Sequence, residues 1–214
     1  MLEAQAQPNA QAAAEELLPP RAAADGTHRR ILEEALVRFG ERGFHGVSVR
    51  EIAQAAGIRA SSVYAHLESK EQLLFELMLI GHEEHHDRLR QSVLEADPDP
   101  LDQLRRVVEA HVRMHATYPL LCQVANRELA ALTPASADRV IAVRRQSEQV
   151  FTDVISRGVR LGVCQVPDPW LATAAIGAMG IRVAEWWGQA RGFDVEDVVS
   201  AYVEFAVRMV GPIS

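Results

Sequence analysis

Cysteine is scarce in this chain: Cys122 and Cys164 are the only two among 214 residues. Two thiols do not make a disulfide framework, so a reducing, cytoplasmic setting is the simpler reading. Long apolar runs are missing as well. No stretch reaches the roughly 18 apolar residues of a transmembrane helix. The N-terminus lacks a basic segment followed by an apolar one, so neither a membrane partner nor a secretory signal is expected. Positive charge is in deficit, the formal net charge being −7. No strand alternation and no internal repeat is found. There is no nucleophile–base–orienter set and no phosphate-binding glycine loop, which argues against an enzyme and against a bound cofactor. What remains is an apolar content of 48% spaced at helical intervals, which predicts an all-α protein with a substantial core.

The charge is unevenly placed. Residues 25–70 hold seven Lys/Arg against six Asp/Glu, whereas residues 71–214 hold fourteen against twenty. Local charge, not the total, decides contact with phosphates. Residues 1–24, rich in Ala, Gln, Glu and Pro, read as a disordered tail. Helices are expected from about residue 25 to Arg42, from Ser48, over 59–66, and from Ser69 to about Ala96. Further helices are expected over about 100–117, from Tyr118-Pro119, and over about 135–161, 168–189 and 194–210. Asp97-Pro98-Asp99-Pro100, Thr133-Pro134 and Val166-Pro167-Asp168-Pro169 punctuate them.

Residues 48–70 carry the most information. Ser48 with Glu51 has capping-box spacing. Val49, Ile52 and Ala53 form an apolar stripe. Gly57 can take the left-handed conformation that ends a helix, with Ile58 buried after it. The helix that follows turns Val63 and Leu67 inward and Arg59, Ser61, Ser62, Tyr64 and His66 outward. Small residues flanked by an Arg, a Tyr and a His suit close approach to base edges and phosphates. Residues 25–70 are therefore expected to be a three-helix, helix-turn-helix DNA-binding domain. Residues 71–214 would be a helical ligand-binding and dimerisation domain.

The same stretch resembles the TetR/AcrR family of transcriptional regulators. The match runs from Ala35-Leu36-Val37-Arg38-Phe39-Gly40-Glu41-Arg42-Gly43-Phe44 through Ser48-Val49-Arg50-Glu51-Ile52-Ala53 and Ala56-Gly57-Ile58. It ends with Ser62-Val63-Tyr64-Ala65-His66-Leu67 and Ser69-Lys70-Glu71-Gln72-Leu73-Leu74. Leu67 stands where the family usually has Phe. The resemblance implies a homodimeric repressor that binds double-stranded operator DNA and is released by a small-molecule inducer. Tyr64, His66 and Lys70 are expected on phosphates, helped by Thr27 and Ser48 at helix N-termini and by Arg50. Arg59, Ala60, Ser61 and Ser62 are expected nearest base edges.

The C-terminal helices over 168–189 and 194–210 are apolar on two sides, which predicts burial on two sides and a dimer interface. Gly177 and Gly180 would admit a neighbouring backbone. Several polar residues fall on apolar helix faces: Arg144 and Ser147 with Val140, Phe151 and Val154; Glu128 with Leu121, Ala125 and Leu132; Arg182 with Leu171, Ala175 and Ala178. They either pair internally, as Glu128 with Arg144 or Arg182 with Glu185, or line a ligand cavity. Asn126-Arg127-Glu128-Leu129, Arg144-Arg145 and Ile181-Arg182-Val183-Ala184-Glu185-Trp186-Trp187 are similar to family members that sense acyl-CoA thioesters. That likeness implies an acyl-CoA or related amphipathic anion as inducer. Arg182 is the leading anchor, with Trp186 beside it to stack on a planar group. Arg127 and Arg144 come next, and Phe151, Met179 and Val183 would meet the apolar part. A drug-responsive regulator would share much of this composition. Histidines 82, 85, 86, 111 and 115 cluster on two neighbouring helices and keep a metal-responsive alternative open, although no metal ligand is assigned.

Overall fold

The computed structural model describes residues 17–22, 26–59, 61, 68–187 and 192–211. Among these there are eight α-helices, one 3-10 turn and no strand. They are α1 Gly26–Arg42, α2 Val49–Ala55, α3 Lys70–Glu95, α4 Pro100–Thr117, α5 Pro119–Arg127, α6 Pro134–Arg160, α7 Pro169–Trp186 and α8 Val195–Val210. The helix expected over 59–66 falls mostly outside the described residues. The all-α expectation is met.

Local chemistry sets the helix ends. Ser48 Oγ accepts from the Glu51 amide while the Glu51 carboxylate accepts from the Ser48 amide, a complete capping box at α2. The Arg42 guanidinium and the Ser48 donors hold the Glu51 carboxyl down at about 2. At the other end of α2, Gly57 is left-handed with φ +69. Its amide bonds Gln54 O and the Ile58 amide bonds Ala53 O, the paired bonds of a Schellman motif. Ser69, Asp99, Thr133, Asp168 and Asp194 cap α3, α4, α6, α7 and α8 through their side-chain oxygens. Pro occupies the first turn of α4, α5, α6 and α7, where its missing N–H costs nothing.

Two apolar clusters make the core. The first joins α1 and α2 to α3 and α5 through Ile31, Leu36, Phe39, Ile52, Leu73, Leu77 and Leu121. The second wraps α4 with α6, α7 and α8 through Leu104, Val108, Phe151, Ile155, Ile176 and Val199. Helix α4 is the hub: it packs on α3, α5, α6, α7 and α8. The helix-turn-helix segment is therefore not a separate bead. Helix α1 rests on both α3 and α5, and Gly40 leaves the space that the Leu120 side chain enters.

The fold departs from expectation in three places. Residues 17–22, read as part of a disordered tail, are packed. Leu18 and Ala22 are buried, and the Arg29 guanidinium donates to the carbonyls of Leu18, Pro19 and Ala22. Arg21 pairs with Asp87 at 2.8 Å and Glu83 at 3.3 Å on α3. A second departure is α5, which stops at Arg127, leaving Glu128 as its C-cap. Glu128 is therefore not on a helix face in line with Leu132. Lastly, Arg182 lies on an exposed side of α7 with Leu171, Ala174, Ala175 and Ala178, not on a face buried within the subunit. That side, with the exposed Phe205 and Met209 of α8, is the second apolar surface expected of the two C-terminal helices. The inward side of α7 is Ala172, Thr173, Ile176, Gly180, Val183 and Ala184.

Candidate functional site

A cavity of about 300 Å³ opens where the two clusters meet. Its walls come from five helices: His82 and His85 of α3, His111 and His115 of α4, Cys122, Ala125 and Asn126 of α5, Arg144, Ser147, Glu148 and Phe151 of α6, and Trp170, Thr173, Ala174, Gly177, Ala178 and Ile181 of α7. Apolar surface predominates, with a few polar groups converging from different elements. That is the make-up of a small-molecule site.

The histidines form the polar floor. His111 Nε2 lies 3.1 Å from Gly177 O, and a carbonyl can only accept, so this nitrogen carries the proton. A neutral ring then leaves Nδ1 as an acceptor. His85 Nε2 donates to it across 2.7 Å. His115 Nδ1 donates to His111 O at 2.8 Å. The imidazoles of His111 and His115 stack edge to face with centroids 4.6 Å apart, and Phe151 closes on His111 at 5.5 Å. Gly180 makes room for this arrangement, since a Cβ there would collide with the His111 ring. The expectation that Gly177 and Gly180 admit a neighbouring backbone is met only in part: at Gly180 a side chain enters, and nothing lies within 4 Å of a Cβ on Gly177.

Burial holds these rings neutral. It lowers His111 to about 3, helped by the nearby His115, and lowers His82 and His115 to about 4. His85 is pushed well below the usual value, again by burial first and by neighbouring histidines second. Burial also raises the Cys122 thiol to about 12, which makes it an inert wall group.

The residues picked from sequence for the effector divide sharply. Arg144 and Phe151 line the cavity. Arg144 pairs with Glu148 at 3.4 Å, not with Glu128. Arg127, Met179, Arg182, Val183 and Trp186 do not reach the cavity. Arg182 lies on the exposed stripe of α7 and pairs with Glu185, which Arg127 also meets at 3.4 Å. Met179, Val183 and Trp186 instead belong to the second apolar cluster, with Trp186 near Tyr202 of α8. The reason is rotational: Arg182 lies more than a quarter turn around α7 from the centre of the cavity face formed by Trp170, Thr173, Ala174, Gly177 and Ile181, with Ala178 at the edge between the two. Trp170, Thr173, Asn126 and Gly177 were missed as lining residues, and nothing in their spacing could have identified them.

On the DNA side, Arg50, Arg59, Ser48 and Ser61 are exposed, and Thr27 is half-buried in the first turn of α1. Ala60, Ser62, Tyr64 and His66 lie outside the described residues. Lys70 is engaged within the protein. Its ammonium donates to Phe44 O and Val47 O, both at 2.8 Å, and sits 4.1 Å from the Phe44 ring centre. Two of its three N–H groups thus tie the start of α3 to the turn between α1 and α2.

Residues 31–77 match the family described as Bacterial regulatory proteins, tetR family. Residues 97–210, more than half the chain, match the Tetracyclin repressor-like, C-terminal domain. The chain belongs to the TetR family. It is a transcriptional regulator with a helix-turn-helix segment, and the sequence resemblance is upheld. The HTH-type transcriptional repressor KstR2 of Mycobacterium tuberculosis is 30% identical over 137 residues, 62% of this chain and 66% of that protein. About a third of that TetR-family relative is thus left unmatched. A regulatory protein in the tetR family from Rhodococcus RHA1 superposes with a TM-score of 0.83 at 30% identity, covering 89% of this chain and 100% of that one. AibR, solved in complex with isovaleryl coenzyme A and operator DNA, superposes with a TM-score of 0.78 at 22% identity, covering 87% and 100%. At that identity the likeness is one of fold.

Proposed function

We propose that this TetR-family regulator is a repressor that binds a two-fold operator as a homodimer and leaves it when an amphipathic anion occupies the α3–α7 cavity. An acyl-CoA is the leading candidate. The observation that carries the reading is the placement of the cavity. Its wall includes α3, which starts at the helix-turn-helix segment, and α5, on which α1 rests. A ligand that favours one spacing of these helices shifts the orientation of the two recognition segments. The division into residues 1–24, 25–70 and 71–214 is kept as part of this proposal, with 17–22 strapped to α3 and α1.

Arg144 replaces Arg182 as the proposed anchor. It is the one cation lining the cavity among the described residues. An acyl chain fits against Phe151, Ala125 and Ile181, while the bulkier nucleotide portion of a CoA exceeds the cavity and would lie outside it. AibR, a fold relative captured with isovaleryl coenzyme A and operator DNA, supports testing this class first. The exposed apolar stripe of α7 with Phe205 and Met209 of α8 supports a two-fold interface. For DNA, we infer that Arg59, Ala60, Ser61 and Ser62 face bases. Tyr64, His66, Thr27, Ser48 and Arg50 face phosphates, and the third N–H of Lys70 joins them.

The experiment is a titration of the operator-bound protein, on DNA selected from a random pool, with acyl-CoAs of increasing chain length and with a neutral lipophile. Release by short acyl-CoAs, weakened about tenfold or more in Arg144→Met through loss of a charged contact, is expected. Equal release of wild type and variant by the neutral lipophile would replace the anion with an uncharged ligand.

A further inference from the structure

We propose that His85, His111 and His115 form a binding site for a divalent transition-metal ion of the zinc type, with a fourth coordination position open to the cavity. The site shares the cavity with the effector but rests on different residues, and it does not need the effector to be an acyl-CoA.

Geometry carries the assignment. One ring nitrogen from each of the three residues lies within 4.8 Å of the other two. A tetrahedral zinc with Zn–N bonds of about 2.0–2.1 Å needs nitrogens about 3.3 Å apart. The His85–His111 pair at 2.7 Å has only to open slightly, and the third ring to close in. The ion would take the place of the proton that now bridges His85 Nε2 and His111 Nδ1. That proton moves to the other nitrogen of His85 by exchange with solvent, so each ring stays neutral.

The outer hydrogen bonds fit the same reading. His111 turns Nε2–H to Gly177 O, and His115 turns Nδ1–H to His111 O. Each thereby keeps its other ring nitrogen as a lone-pair donor available to an ion. Metal-bound histidines are usually fixed in this way by a carbonyl or carboxylate behind the ring. Two such backings exist before any ion arrives. His82 does not join: the ring nitrogens that lie within 4.8 Å of one another belong to His85, His111 and His115. Three imidazoles without a carboxylate favour zinc, copper, nickel or cobalt over magnesium or calcium. The ion's charge is open to balance by Glu148 on the cavity wall and by a water or anion in the fourth position.

The test uses the full chain after chelator treatment, without DNA or organic ligand. Zinc chloride is titrated against a chromophoric chelator, and cobalt(II) is followed by its visible ligand-field absorption. One ion per chain is expected, with the absorption of a four-coordinate cobalt site. His85→Gln and His115→Gln should each lower affinity by at least about 100-fold, beyond the usual cost of losing an outer partner. His86→Gln and Arg144→Met should leave it unchanged. If His115→Gln fails to fold, His85→Gln decides, because His85 is the least enclosed of the three residues. No stoichiometric binding of zinc or cobalt, or binding retained in His85→Gln, overturns the site. Arg144→Met separates the two proposals: it impairs the organic effector and spares the metal.

Discussion

The two ends of this molecule use polar residues in opposite ways. In the helix-turn-helix region, the groups that end the helices find partners a few residues away, Ser48 with Glu51 and Gln54 O and Ala53 O with the turn at Gly57, Lys70 being the exception that reaches back to Phe44 and Val47. In the cavity, polar groups are buried and find partners across the chain: His85 with His111, and His111 with Gly177. Short-range pairing can be read from spacing, whereas pairing across five helices cannot. The contrast also has energetic content. The first region depends on caps worth about 1 kcal/mol each, the second on keeping several imidazoles neutral.

The largest separation of the two regions should come with acid. A histidine whose folded value is depressed contributes stability above its unfolded value of 6.5, and that stability is lost as pH falls toward the folded value. His82 and His115 at about 4 and His111 at about 3 set the window from about pH 6.5 down to pH 4. Each ring that stays neutral costs roughly 1.4 kcal/mol per pH unit across it. Denaturant unfolding at a series of pH values should show a steep decline below pH 6.5. His115→Gln should flatten it, and a curve that is level down to pH 5 would remove the neutral cluster.

Next in size is the packing behind the cluster. Gly180→Val puts a branched side chain into the His111 ring and should cost about 1–3 kcal/mol by overpacking. Thermal melts measure the loss, and an unchanged midpoint would mean that α7 does not lie so close to α4. At the other end, Ser48→Ala removes the cap of α2 and should cost about 1 kcal/mol. Hydrogen exchange should locate that loss in α1 and α2 and leave the cavity helices as protected as before.

These magnitudes explain what was legible beforehand. Helix order, breaks and caps follow from Pro, Gly, Ser and Asp at fixed offsets, so α1 through α8 fall close to where the pattern puts them. The chosen anchor did not. Arg182 shares a stripe with Leu171, Ala175 and Ala178, but the sequence alone does not say whether an apolar stripe faces a cavity or the outside of the subunit. Arg144 and Phe151 were recoverable because α6 has one strongly apolar side. The Gly177 carbonyl meets His111 of α4, and the Thr173 hydroxyl, which donates to Pro169 O of its own helix, also meets Thr152 of α6; no local pattern marks these contacts between helices. The strap at 17–22 was hidden for the same reason: Arg21 and Arg29 find their partners on other segments. The smallest expected effect tests this distinction. Arg182→Met, at an exposed position paired among the described residues with Glu185, should change stability by less than about 0.5 kcal/mol and leave effector release untouched. A large loss of release would return the anchor to α7.

The most direct measurement concerns the cavity itself. Nothing lies within 4 Å of a Cβ placed on Gly177, and that residue faces the cavity. Gly177→Leu should therefore fill the space without disturbing the helix, and replacing a helical Gly favours the helix by up to about 1 kcal/mol. Operator binding and its release are followed by fluorescence anisotropy, with the acyl-CoA most active on the wild type. The predicted result is an operator affinity within about twofold of wild type and release weakened by at least about tenfold, a loss of about 1.4 kcal/mol of effector binding. Undiminished release from the filled variant would contradict the cavity as the effector site.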